Sequence, residues 1–155
     1  MDFKKMAEQY KSELLNKVIP FWLEKSQDKE FGGFFTCLER DGSVFDTDKC
    51  IWLQGREVWM FATLYNKVEK KQEWLDAAIQ GAEFLKKYGH DGNLNWYFAL
   101  DREGHPLVEP YNIFSYTFAE LFNHFLYQSF PGYYLFCQSL RKISEALLRL
   151  YRRYR

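Results

Sequence analysis

The sequence predicts a mainly α-helical fold in which two short β-hairpins connect longer helices. Three observations support this class. Apolar residues recur at steps of three and four through most of the chain, as they do on one face of an α-helix. Two glycine-containing turn signals, at 41–42 and 101–104, are flanked by short aromatic or β-branched runs. The 155 residues are 47% hydrophobic and 20% aromatic, which suits one globular domain with a sizeable core.

The first predicted helix covers residues 3–25. Its apolar residues follow the helical spacing: Phe3, Met6, Tyr10, Leu14, Val18, Phe21 and Trp22. Pro20 is expected to kink or locally reset this helix, because proline has no backbone N–H to donate. Residues 31–46 then predict a hairpin with Asp41 and Gly42 in its turn.

A second helix is predicted over roughly 48–67, with Asp46 or Asp48 as its N-terminal cap. It is apolar on most sides, which is typical of a helix surrounded by other elements. A third, amphipathic helix is predicted at about 72–88 and ends near Gly89.

A second hairpin is predicted over 94–108, with its turn around Asp101, Glu103 and Gly104. No sequence repeat of 20–50 residues is clear, although the unit of a helix plus a hairpin occurs twice.

Two further helices are predicted in the last third of the chain. One begins near Tyr111, and the other runs over about 133–154 after the break at Pro131 and Gly132. The last helix has a heptad-like apolar stripe. That stripe is either an ordinary packing face or a partner-binding face.

Charge and cysteine content limit the classes of function. Net charge is zero at pH 7, so nothing global favours nucleic acid or an acidic membrane. Residues 141–155 nevertheless hold six basic residues and one acid. Cys37, Cys50 and Cys137 lack CxxC or zinc spacing, so we expect no metal and a reduced, cytoplasmic state. The sequence has neither a signal-peptide pattern nor a run of about 18 apolar residues, so no membrane association is expected.

Arg56 stands inside an apolar stretch, where a guanidinium is costly to bury without a partner. Trp52, Arg56 and Trp59 lie four and three residues apart and therefore share one face of the second helix. If that face lines a cavity, the tryptophans form walls for a sugar and Arg56 points at its polar end. The alternative is a structural arginine, paired with Glu57 or Asp48 or stacked on a tryptophan.

Three stretches resemble the N-terminal part of the N-acylglucosamine 2-epimerase (renin-binding protein) family: LLNKVIPFWLEKSQD, FGGFFTCLERDGSVFDTDKCIWLQGREVWMFATLYN and NWYFALDREGHPLVEPYNIFS. The resemblance covers residues 10–118. It implies a partial (α/α)6 toroid of about five helices with two short β-hairpins, in which the helix at 48–67 belongs to the inner ring. We therefore expect 1–130 to be the N-terminal portion of an epimerase barrel and 131–155 to be a divergent, basic amphipathic helix.

The resemblance also implies a chemistry. The family interconverts N-acetylglucosamine and N-acetylmannosamine by removing and returning the C2 proton, so an amino sugar is the implied substrate. Arg56 matches the arginine of the family's WLQ-x-RQVW motif and is the expected catalytic residue. Trp52 and Tyr111 are the expected substrate-binding residues, although Tyr111 could equally cover the core at a helix start. Glu57 stands where the family usually has glutamine.

The family takes its catalytic histidine pair from later helices, and His90, His105 and His124 match neither position. The site for the family's effector, ATP, is not identifiable, so no cofactor is expected. A twelve-helix ring needs roughly 300–400 residues. The sequence thus predicts a truncated epimerase that is inactive alone and self-associates through uncovered inner faces. The alternative is a non-catalytic fragment that binds a partner or a sugar.

Overall fold

The computed structural model describes residues 2–93, 95–108 and 117. Its helices are α1 (Phe3–Glu13), α2 (Ile19–Lys25), α3 (Ile51–Lys67) and α4 (Gln72–Tyr88). Its strands are β1 (Cys37–Leu38), β2 (Val44–Asp46), β3 (Lys49–Cys50), β4 (Ala99–Leu100) and β5 (Pro106–Val108). The strands form two antiparallel sheets, β1-β2 and β3-β4-β5. The predicted mainly α fold with two hairpins is confirmed, while the helices predicted after residue 110 lie outside the described residues.

The first predicted helix consists of three consecutive helical segments. Asp2 caps α1, since its Oδ1 accepts hydrogen bonds from the backbone N–H groups of Lys4 and Lys5. A π-helical turn, Leu14–Val18, then leads into α2. Pro20 lies in the first turn of α2 and has no N–H to donate to a carbonyl of the π-helical turn that precedes it. The expected reset of the helix at Pro20 is therefore confirmed.

The core lies between α3, α4 and the loop that precedes β1. Phe34, in that loop, is fully buried and stacks on Phe61 of α3 with ring centroids 5.9 Å apart. Gly81 allows this packing, because a Cβ there would overlap the Phe34 ring and lie 2.7 Å from Cγ2 of Val58. The second hairpin adds the buried Trp96 to the same core.

A helix followed by a short hairpin occurs twice in the described residues. We define unit 1 as residues 19–67, from α2 to α3, and unit 2 as residues 72–108, from α4 to β5. In unit 1, Cys37 pairs with Asp46 and Leu38 with Val44. The same pairing recurs 62 residues later in unit 2, where Ala99 pairs with Val108 and Leu100 with Pro106. The turn glycines, Gly42 and Gly104, both adopt positive φ, at +88° and +100°.

The start of the second helix differs from the prediction. Residues 49–50 are not helical, because Lys49 pairs with Leu100 and Cys50 with Ala99 as strand β3. The predicted aspartate cap is also wrong: the N-cap residue is Cys50, which makes no side-chain cap hydrogen bond. Asp46 instead accepts a hydrogen bond from the backbone N–H of Asp48. Pairing with a distant hairpin thus outweighs the local capping signal.

Candidate functional site

Helix α3 presents one buried face and one partly open face. The buried residues, which pack into the core, are Ile51, Gln54, Gly55, Val58, Phe61, Ala62 and Leu64. The opposite face carries the exposed Arg56 and the partly exposed Trp52 and Trp59. The 3.6-residue period of the helix places these three side chains on one side, as their spacing predicts.

Arg56 lies against Trp52. The guanidinium carbon is 5.9 Å from the centroid of the Trp52 ring, within the range of a cation–π contact. The stacked arrangement that the sequence left open is therefore present, and it leaves the Arg56 side chain exposed. The structure brings together Trp52 and Arg56, whereas Tyr111 lies outside the described residues. Their roles in binding and catalysis stay predictions.

Glu57 adds a second ionisable group beside Arg56. Burial raises the pKa of Glu57 from 4.5 to about 7, and the positive charge of Arg56 opposes that rise only in part. Its Oε2 atom is buried and has no hydrogen-bond partner among the described residues. The sequence singled out Glu57 only as a departure from the family pattern. Its burial follows from packing that local sequence does not encode.

Gln54 connects α3 to the loop that carries Phe34. It is fully buried, its Oε1 accepts from the backbone N–H of Phe34 at 2.8 Å, and its Nε2 donates to the Phe34 carbonyl at 2.7 Å. Both backbone groups of a buried residue are thereby satisfied. These two hydrogen bonds fix the loop to α3 at Gln54, two residues before Arg56. Sequence reasoning missed it, although a glutamine within an apolar run was the available signal.

A buried ion pair holds the start of α3. Lys49 and Asp28 are 0% and 1% exposed, and Lys49 Nζ donates to Asp28 Oδ2 at 2.9 Å. The same Nζ donates to the carbonyls of Gly32 and Arg102, at 2.7 and 2.8 Å. All three ammonium donors therefore have acceptors, as a buried charge requires. Local sequence carries no sign of this pair, since its members are 21 residues apart.

Arg102 completes the buried network from the tip of the second hairpin. Its Nε donates to Asp28 Oδ2 at 3.0 Å and its Nη2 to Glu30 Oε2 at 2.8 Å. Burial alone would raise the pKa of Asp28, but hydrogen bonds from Arg102 and Lys49 outweigh it and lower that pKa to about 2. Asp28 is therefore ionised at neutral pH. The network fixes the first loop, β3 and the second hairpin relative to one another at the base of α3.

The two described histidines are engaged in the second unit. His90 Nδ1 accepts from the backbone N–H of Gly92, and its ring meets Trp96 edge-on at 5.3 Å. His105 lies 2.9 Å from Asp101, whose carboxylate raises the pKa of His105. These contacts tie both described histidines to neighbouring side chains and backbone of the second unit. His124 lies outside the described residues.

Within the part of the chain that the structure describes, no helix is long and apolar enough to cross a membrane. The same residues contain no group of three or more His, Cys, Asp or Glu side chains placed to hold a metal ion.

The described residues hold a helix followed by a short hairpin twice, with a further helix after the first hairpin, an arrangement typical of a segment of an α/α toroid. Comparison with known proteins agrees. The family model for N-acylglucosamine 2-epimerase matches residues 33–145. The N-acylglucosamine 2-epimerase of Mus musculus is 47% identical over 120 residues, which cover 75% of this chain and 28% of that protein. The chain belongs to the N-acylglucosamine 2-epimerase family.

Solved structures give the same fold. A sugar epimerase from a ruminal bacterium matches with a TM-score of 0.72 and 28% identity, over 79% of this chain and 32% of that one. Cellobiose 2-epimerase from Spirochaeta thermophila matches with a TM-score of 0.75 and 20% identity, over 97% of this chain and 36% of that one. The chain has the fold of part of an (α/α)6 toroid, as the sequence predicts. The chain spans about a quarter to a third of the length of these relatives.

Proposed function

We propose that this chain supplies the Arg56 face of a sugar 2-epimerase site, whose substrate pair is N-acetylglucosamine and N-acetylmannosamine. One observation carries the proposal. An exposed guanidinium lies against the ring of Trp52, on the side of α3 opposite the core, inside the segment that matches the epimerase family. An aromatic ring beside a fixed cation suits a sugar, which offers an apolar face for stacking and oxygens for hydrogen bonding.

The proposed role of Arg56 follows from the chemistry at C2. Removing the C2 proton of the ring-opened sugar leaves an enolate, whose negative charge develops on the neighbouring carbonyl oxygen. A cation held near that oxygen stabilises the transition state more than the ground state. Arginine suits this position because it stays charged and presents a planar fork of donors. Trp52 would stack on the sugar and hold it in register with Arg56.

The groups that move the proton are not supplied by His90 or His105 in this proposal. Both histidines are occupied in contacts of the second unit, with Trp96 and Asp101. The proposed function of the 155-residue chain is therefore to bind and orient the sugar without turning it over. The alternative of a non-catalytic, sugar-binding fragment gives Arg56 and Trp52 the same role, which is to bind the sugar.

The test is Arg56→Lys, made at the matching position of a full-length relative that carries the WLQ-x-R motif. Lysine keeps the charge and loses the planar fork, so the variant should fold normally and lose about 10²–10³ in kcat, or about 3–4 kcal/mol. The matched control is a lysine-to-arginine change at an exposed lysine of the same helix in that relative; in this chain Lys67 is such a residue. Melting temperature and turnover are measured on the same preparation. A variant that melts early but turns over normally per folded molecule would assign Arg56 a structural role.

A further inference from the structure

A cavity of about 590 Å³ lies between the loop that joins α2 to β1 and the C-terminal half of α4. Its lining comes from residues 30–32 of that loop and from one face of α4. All of the lining residues are described, and none of them belongs to α3, which carries Arg56. Small-molecule sites occupy about 300–1,000 Å³, so this cavity, which we call the α4 pocket, has the size of a ligand site.

The loop side of the α4 pocket is held in place by Arg102. Its Nη2 donates to Glu30 Oε2 at 2.8 Å, and its guanidinium carbon lies 4.9 Å from the centroid of the Phe31 ring. Gln80 fastens α4 to the same loop, because its Nε2 donates to the carbonyl of Asp28 at 2.9 Å. The two sides of the pocket are therefore fixed relative to each other before a ligand binds, which lowers the entropy cost of binding.

The helix side of the α4 pocket provides an apolar surface. Phe84 and Tyr88 lie one helical turn apart, with ring centroids separated by 5.2 Å. The Tyr88 ring packs against the turn of the second hairpin, where a Cβ on Gly104 would lie 2.5 Å from Tyr88 Cγ. Together with Phe31 on the loop side, these rings give the pocket an aromatic surface on which the C–H face of a sugar can pack.

Three polar groups in the lining have no hydrogen-bond partner in the described part of the chain. They are Oε1 of Gln80, the exposed carboxylate of Glu83 and the hydroxyl of Tyr88. The orientation of the Gln80 amide is fixed, since only its Nε2 can donate to the carbonyl of Asp28. A few polar groups beside an apolar surface are the usual composition of a small-molecule site.

The charges around the α4 pocket disfavour an ionic ligand. Glu30 and Glu83 supply two carboxylates, and Lys86 and Lys87 supply two ammonium groups. An anion would be repelled by the carboxylates and a cation by the ammonium groups. A neutral polyol has no such repulsion, and each of its hydroxyls can both donate a hydrogen bond to an acid and accept one from a base.

We propose that the α4 pocket binds a neutral saccharide. The sugar hydroxyls donate to the Glu83 carboxylate and to Gln80 Oε1, and the Tyr88 hydroxyl donates to a sugar oxygen. The C–H face of the sugar lies on the rings of Phe31 and Phe84. This inference does not rest on the proposed epimerase role, because the α4 pocket and the Arg56 face share no residue.

Saturation-transfer NMR of the whole 155-residue chain with methyl β-glucopyranoside tests the proposal. The ring of this sugar cannot open, so the sugar does not enter the proposed 2-epimerase reaction, and the result is independent of that reaction. A ligand of this size is expected to bind with a Kd on the order of 1 mM. Inorganic phosphate and methylammonium, the charged probes, should not displace it at equal concentration. Displacement by either probe would contradict a site for a neutral ligand.

Two variants locate the bound sugar. Glu83→Ala and Tyr88→Phe should each raise the Kd about three- to tenfold, because each removes one hydrogen-bonding group and Tyr88→Phe keeps the ring. The matched control is Glu8→Ala, which removes an exposed carboxylate from α1 and should leave the Kd unaltered. Circular dichroism melts establish that each variant is folded. An absence of binding well above 1 mM would overturn the proposal, and so would binding that neither pocket variant weakens.

Discussion

Replacing Glu57 by glutamine should make the protein more stable at neutral and alkaline pH and remove a pH dependence of its stability. The Glu57 carboxyl is held beside Arg56 in a site where Oε2 has no hydrogen-bond partner among the described residues. Burial raises its pKa from 4.5 to about 7, so the native state binds this proton more tightly than the unfolded chain does. Glutamine has a similar shape and never ionises. It is also the residue that the family pattern usually has at this position.

The direction and size of the effect follow from proton linkage. A group whose native pKa is raised contributes its full stability below the unfolded value and loses it as pH rises to the native value. The loss thus begins near pH 4.5 and is complete above pH 7. The gap between the two pKa values corresponds to at most about 3 kcal/mol. Between pH 5 and pH 8 the stability of the native chain should therefore fall, relative to Glu57→Gln, by roughly 2–3 kcal/mol.

Urea unfolding of the two proteins at several pH values between 5 and 8 measures this difference. Other titrating groups are common to both chains and cancel in the comparison. Glu83→Gln, which removes an exposed carboxyl from α4, is the matched control and should give a constant offset across the series. If the difference between Glu57→Gln and the native chain does not change with pH, the Glu57 carboxyl is not the buried, partnerless group described above.

Three further outcomes are expected. Lys49→Met should lower the free energy of unfolding, measured in urea, by about 3–5 kcal/mol, because it leaves the buried Asp28 with one cation fewer. A loss below about 1 kcal/mol would mean that Arg102 alone neutralises Asp28. Gln54→Leu should lower the free energy of unfolding by about 2–4 kcal/mol, because the buried N–H and carbonyl of Phe34 both lose their partner. Amide hydrogen exchange at Phe34 should also accelerate. Unaltered exchange would contradict the two hydrogen bonds between Gln54 and Phe34. The purified 155-residue chain should not form N-acetylmannosamine from N-acetylglucosamine. Each positioned acid or base that transfers a proton contributes about 10²–10⁴-fold to the rate of such a reaction. Turnover at an ordinary enzymatic rate, with host epimerase excluded, would place the acid and base within this chain.

The elements that depend on local pattern could be predicted from the sequence. The helix predicted at 72–88 is α4, Gln72–Tyr88, because its amphipathic spacing and the following Gly89 act over short distances. The turn at Asp41 and Gly42 is confirmed for the same reason: Asp41 Oδ1 accepts from the N–H of Ser43, and Gly42 adopts positive φ.

The features that depend on distant contacts could not be predicted. Strand β3 exists because Lys49 and Cys50 pair with a hairpin about fifty residues away, and the residues next to them in sequence do not predict that pairing. The candidate site shows the same division. The shared face of Trp52 and Arg56 follows from helical spacing, whereas the burial of Glu57 depends on packing against other parts of the chain.

The position of Lys49 has a consequence for how the chain folds as it is synthesised. Asp28 and Lys49 leave the ribosome 21 residues apart, but the carbonyl that completes the hydrogen bonds of Lys49 follows 53 residues after it. At typical elongation rates of about 5–20 residues per second, that interval is roughly 3–10 s. During it the nascent first unit holds a lysine with one acceptor missing and a carboxylate without its arginine. We therefore expect the smallest cooperative folding unit to be a pair of adjacent repeats, with a single repeat as an intermediate that synthesis of the next one stabilises.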